Sequence, residues 1–262
     1  MKRRMFLALF GLAASACIPS TGGALVRFSA EAHGPSASVA GQPLSFQSDV
    51  GFNVELSKAR VRVGAVYLNR TNPASYAGET ACLQPGIYTG EVRGGLFVDV
   101  LSPAPQPFDI EGVGTSDATR SAEIWFAAGD VNEPESSTAY LDVAGTAKRG
   151  ADTWPFEGRV TFGKNRLVPP RDPALPGSNP LCKQRIVSPI PVDFALGQGG
   201  TLSLSIDPRP FFSGVNFSQL KASASDPSKF EFVDDSSAGA QPDAALYAGF
   251  RSIAPYTLEF KP

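Results

Sequence analysis

Histidine is nearly missing from this chain of 262 residues. His33 is the only one, and both methionines, Met1 and Met5, fall at the very start. Zinc and copper sites are built from several His, Cys or Met ligands, and with three cysteines in all there is little from which to assemble one. The same scarcity bears on hydrolases. A Ser-His-Asp triad would have to recruit His33, which lies in the polar stretch AEAHGPSA and reads as an exposed loop residue, and no G-x-S-x-G elbow presents a serine. HExxH, CxxC, the P-loop and GxGxxG are absent too, so no cofactor is implied. No basic cluster occurs beyond the first few residues, which removes the footprint of a nucleic-acid partner.

Long apolar runs are also lacking, apart from one at the beginning. Lys2, Arg3 and Arg4 precede an apolar stretch from Met5 to Leu12, and small residues Ala13 to Ala16 close it. This is the three-part layout of a signal peptide, residues 1–16. Crossing a membrane takes roughly 20 apolar residues, and Pro19, Ser20 and Thr21 come too early for that.

Two processing routes fit these letters. Ala14, Ser15 and Ala16 satisfy the small-x-small rule of ordinary signal peptidase, which would release a soluble periplasmic or secreted protein. The same stretch, "ASAC", resembles the lipobox of bacterial lipoproteins, although Ala14 stands where leucine is commonest. That resemblance implies acylation of Cys17 and a membrane partner held through the lipid, since each buried CH₂ contributes about 0.8 kcal/mol. Ile18 in place of aspartate resembles sorting to the outer membrane of a two-membrane bacterium. Residues 17–23 then form the lipidated cysteine and a flexible tether.

The cysteine count favours the second route. An exported chain must account for an odd thiol. Lipidating Cys17 leaves Cys82 and Cys182 to form a disulfide in an oxidising compartment.

Loss of residues 1–16 leaves 20 basic against 25 acidic residues, a net charge of −5. The remaining sequence alternates with a period of two. Leu202, Leu204 and Ile206 oppose Ser203, Ser205 and Asp207, and the same holds over 190–196 and 156–162. In ARVRVGAVYLN, Val61, Val63, Ala65 and Tyr67 oppose Arg60 and Arg62, which predicts one strand with one buried face. Further strands are expected at 24–30, 43–47, 50–56, 86–92, 96–101 and 121–128.

Residues 138–162 read as a β-hairpin turning at Gly150, with Pro155 marking an edge or a strand start. Residues 169–182 carry five prolines and read as an irregular loop. A short helix is expected over 242–252, capped by Asp243, and a single turn within 211–220. The prediction is an all-β protein, an antiparallel β-sandwich or open barrel over 24–262, with one or two short helices near the C-terminus.

The remaining chemistry rests on oxygen ligands and aromatics. Asp130, Glu133, Glu135 and Asp142 are available as a glycosidase pair, which needs no histidine. Asp130, Asn132, Glu133 and Glu135 in GDVNEPES are weak calcium candidates, as are Asp234, Asp235 and Asp243, but neither loop follows the EF-hand pattern. Trp125 and Trp154 are the only tryptophans and are expected in the core rather than on a glycan platform. Asn69-Arg70-Thr71 and Asn216-Phe217-Ser218 spell incidental sequons.

GFNVELSKARVRVGAVYLN near the start, with FFSGVNF and ALYAGFRSIAPYTLEF near the end, resembles predicted proteobacterial lipoproteins. More distantly, these stretches resemble the periplasmic copper-binding β-sandwich proteins associated with methanobactin. The likeness implies the sandwich and carries no ligand motif. The expectation is therefore a non-enzymatic envelope lipoprotein that serves as a binding or structural component, with an envelope protein or glycan as partner. The alternatives are a carboxylate-based polysaccharide hydrolase, or a periplasmic β-sandwich that binds calcium or another ligand.

Overall fold

Strands with one apolar side need a facing layer, and this chain supplies it with two sheets. The computed structural model describes residues 22–71, 86–127, 136–163, 181–234 and 241–262. Its first sheet runs in the order β12 (Ile186–Ala195), β9 (Ala118–Trp125), β4 (Ala65–Asn69), β5 (Tyr88–Val92), β8 (Gly112–Thr115), β1 (Leu25–His33), β13 (Thr201–Ile206) and β16 (Tyr256–Lys261), with β7 (Gln106–Pro107) also on β1. The second runs β14 (Lys221–Ala222), β15 (Phe230–Glu231), β11 (Asp152–Phe162), β10 (Ser136–Arg149), β3 (Asn53–Val63) and β2 (Leu44–Gln47), with β6 (Leu96–Asp99) on β3. The first sheet curls until its two ends meet. Phe194 of β12 stacks on Phe260 of β16 at 6.0 Å, which makes this sheet nearly a barrel.

The predicted all-β class holds. Pairing is antiparallel except at β1 with β13 and β11 with β15. Parallel neighbours need a long connection, and the many residues between β1 and β13 provide one.

Alternation sets the core. Val26, Phe28, Ala30 and Ala32 of β1 point inward and meet Leu204, Leu258, Val66, Leu68 and Ile124 of the same sheet. Val54, Leu56, Val61, Val143, Phe156 and Val160 close it from the second sheet. Phenylalanines fill the space between, with Phe126 on Phe250 at 4.5 Å and Phe156 against Phe217 at 5.0 Å.

The run ARVRVGAVYLN is not one strand. The chain leaves the second sheet after Val63 and enters the first at Ala65, so Gly64 is a corner. Its N–H donates to the Trp125 carbonyl at 2.9 Å, and a Cβ here would overlap the Ala127 carbonyl. The parity slips as the chain turns. Val66 and Leu68 join the main core, while Ala65 and Tyr67 face the opposite way.

The hairpin of β10 and β11 forms as expected, with Gly150 at φ +62° in its turn. Pro155 lies just outside the stretch covered by β15, where its missing N–H leaves no gap. Two short helices are described, α1 (Leu181–Gln184) and α2 (Asp243–Arg251), with 3-10 turns at Arg209–Phe212 and Phe217–Gln219. Asp243 does not cap α2. Pro242 holds the cap position, and the Asp243 carboxylate instead accepts from the Val233 N–H at 2.6 Å. Leu181 and Cys182 lie on α1 rather than in an irregular loop, and the five prolines of 169–180 lie outside the described residues. Among the described residues no helix is long and apolar enough to cross a membrane.

Candidate functional site

Neighbouring strands stand about 4.8 Å apart, so register alone lines up residues across the outer face of the first sheet. Arg27, Val113, Glu91, Tyr67 and Glu123 form one row over β1, β8, β5, β4 and β9. Tyr67 therefore stands between two carboxylates. The row changes character along its length, from exposed Arg27 to Glu123 with 1% of its surface exposed.

Glu123 is the least expected member. Its two oxygens are taken separately: Asn69 Nδ2 donates to Oε1 at 3.0 Å and Trp125 Nε1 donates to Oε2 at 2.9 Å. Burial pushes its carboxyl above the ordinary glutamate range, and the two hydrogen bonds only partly offset this. Asn69 is itself buried, and its Oδ1 has no hydrogen-bond partner. Tyr67 packs between Trp125 at 4.5 Å and Tyr88 at 5.5 Å. Its phenol is raised by burial first and by the Glu91 charge next, while Arg93, 3.4 Å from Glu91, opposes them. Of the two, Glu123 is the group that keeps its proton to a higher pH than an exposed glutamate does.

Towards the other end of the row the face opens into a cleft of about 530 Å³. Leu25, Tyr88 and Val113 supply its apolar lining, and Arg27, Glu91 and Gln198 its polar rim. Gly90 and Gly114 pair with each other behind it, and a Cβ at either would strike Leu196 of the core. Gln198 Oε1 accepts from the Arg27 N–H at 3.0 Å, and Thr89 bonds Thr119 at 2.8 Å, which ties this wall together.

The residues singled out from the sequence are scattered by the fold. Cys17, Cys82, Asp130, Asn132, Glu133, Glu135 and Asp235 lie outside the described residues. Cys182 is buried on the outer side of the first sheet with Ala65, Trp125, Ala127 and Ile186. Asp142 pairs with Lys58 at 2.5 Å, and Asp234 accepts from the Thr161 N–H at 3.1 Å. These two carboxylates tie strands together rather than converge.

His33 is no loop residue. It ends β1, half-buried, with Nδ1 2.6 Å from the Gly34 carbonyl. The tryptophans part ways: Trp154 packs half-buried on the main core, edge-on to Phe52 at 5.4 Å, whereas Trp125 is buried in the small cluster with Cys182 on the outer side of the first sheet and not in that core. The Asn69 sequon is closed to a glycan, since its amide is buried against Glu123. Asn216 caps a 3-10 turn through Ser218. Among the described residues no group of three or more His, Cys, Asp or Glu side chains is placed to hold a metal ion.

Glu123 and its donors left almost no trace in the sequence. The one signal is a carboxylate inside the apolar run AEIWF, two residues before a tryptophan and so on the same strand face. No protein-family model, curated protein or solved structure matches this chain.

Proposed function

We propose that this chain is a non-enzymatic lipoprotein of a two-membrane bacterium, exported on residues 1–16, held at the outer membrane by lipid on Cys17, and acting as a binding component. The observation that carries the binding role is the cleft beside β1. Large apolar side chains left in solvent at one concave place mark interaction sites. Leu25 is 86% exposed there, with Tyr88 at 43% and Val113 at 38%. Leu25 follows Cys17 by eight residues, which keeps the cleft within about 29 Å of the acylated residue.

Two measurements test the two halves of this reading. Intact-mass analysis of protein extracted from membranes gives a chain beginning at Cys17 and carrying acyl mass; an unmodified soluble species sinks the anchor. Nile red binds the cleft saturably, and Val113→Asp removes that binding. Unchanged dye binding in the variant sinks the cleft.

One observation favours the rival from another class, a carboxylate-based hydrolase. Glu91 and Glu123 flank Tyr67 two strand spacings apart, about 9.6 Å between backbones, near the separation used by inverting glycosidases. Against it, Glu123 is buried and both of its oxygens are engaged, so it offers no face to a glycosidic oxygen.

A further inference from the structure

We infer that the outer face of the second sheet carries a binding site for an oxyanion, the carboxylate or phosphate of a small ligand, built by Arg60 and Arg62 beside Phe97. Register brings them together: β3 and β6 are antiparallel, Arg62 lies directly opposite Phe97, and Arg60 lies opposite Asp99. The guanidinium carbons sit 4.8 Å and 6.0 Å from the Phe97 ring centre, Arg62 the nearer. Phe97 is 52% exposed on a strand at the sheet edge.

A guanidinium stacked on a ring keeps its in-plane N–H donors available, in the fork that grips an oxyanion with two bonds. Those donors are unspent. Neither arginine has an ion pair or hydrogen bond among the described residues, and Arg62 Nε is buried without a partner.

The carboxylates that register sets beside Arg60 form no ion pair with it among the described residues. Asp142 is held by Lys58 at 2.5 Å, and Asp99 Oδ1 accepts from the Leu101 N–H at 3.0 Å. Two like charges side by side on one strand face repel each other, and an anion between them relieves both. The surrounding hollow measures about 310 Å³ and is lined by Arg60, Arg62, Phe97, Thr138, Ala139 and Asp142. That volume suits a ligand the size of one sugar or nucleotide unit. The site lies on the other sheet from the cleft, so neither it nor its failure bears on the lipid anchor or on dye binding.

The test is calorimetric titration of the purified full chain at low ionic strength, with inorganic phosphate in one arm and glucuronate in the other. One saturable site is expected. Arg60→Gln or Arg62→Gln weakens it about tenfold each, as loss of a charge-assisted pair of bonds does. Arg62→Lys, which keeps the charge and loses the fork, weakens it too, and Lys221→Gln on the same sheet leaves it unchanged. Thermal melts of the variants check that exposed Arg60 and half-buried Arg62 are replaced with the fold intact. The tighter arm identifies the oxyanion as carboxylate or phosphate. Absence of saturation in both arms, affinity retained in the double Gln variant, or equal weakening by Lys221→Gln overturns the site.

Discussion

A carboxyl group shut away from water holds its proton more tightly than one in the unfolded chain, and that difference makes stability depend on pH. Glu123 is such a group, raised by burial against the pull of Trp125 and Asn69. Because its folded pKa lies above the unfolded one, its contribution is whole below the ordinary glutamate pKa, about 4.3, and is lost as pH rises through the folded value. Glu123→Gln removes the titration and adds an offset that pH does not change, since one amide end then faces a donor. Urea unfolding of both proteins across a pH series checks this. The variant gains on the wild type as pH rises from the acidic end, and the gap then levels off. A gap that stays constant with pH contradicts the assignment. A lone carboxylate in a strand reads as solvent-facing, and only the neighbouring strand, which brings Asn69 alongside, turns it into a buried acid. That is why the sequence pointed to Asp130 and Glu133 while the described polar cluster formed elsewhere.

Strands were legible where they repeat with period two over five or more residues. The alternation in β1, β11, β12 and β13 carries through to their buried faces. What alternation does not encode is the sheet to which a strand belongs. Gly64 shows the gap: the apolar pattern runs through it, while the backbone turns a corner there against the Ala127 carbonyl. β8, with two glycines in GVGT, and the two-residue strands β7, β14 and β15 are too short or too bare for any period to register. The corner makes a sharp prediction. Gly64→Ala forces Cβ into backbone that cannot rotate away, and the expected loss is about 2 kcal/mol, mid-range for overpacking. Gly95→Ala is the control, because a Cβ there meets its nearest atom at an ordinary 3.8 Å. Equal unfolding midpoints for the two variants would refute the corner.

At the scale of the whole molecule, the curled first sheet poses a question of closure. Its end strand β12 meets β16 through side chains such as Phe194 and Phe260 and shares no backbone ladder with it, so the seam is weaker than the pairs within the sheet. Cys182 sits just before β12, buried against Trp125 of β9. Cys82 falls in the connection between β4 and β5, and the sheet order is β12, β9, β4, β5. A disulfide between them, were it formed, would tie the seam strand to the connection between its second and third neighbours. It would close a loop of about 100 residues, for which chain entropy gives about 4.7 kcal/mol. The cysteine count proposes this pair from the sequence and the described residues leave it untested, whereas the cleft and the arginine pair, assembled from strands distant in the chain, had no such marker. Thiol labelling of denatured, unreduced protein therefore finds Cys82 and Cys182 protected, and the double serine variant loses about 2 to 5 kcal/mol. Labelling at Cys17 alone separates the two questions, because it reports an unacylated Cys17 sulfur beside an intact staple. Quantitative labelling at both Cys82 and Cys182 leaves the seam to side-chain packing, and the double variant then melts with the wild type.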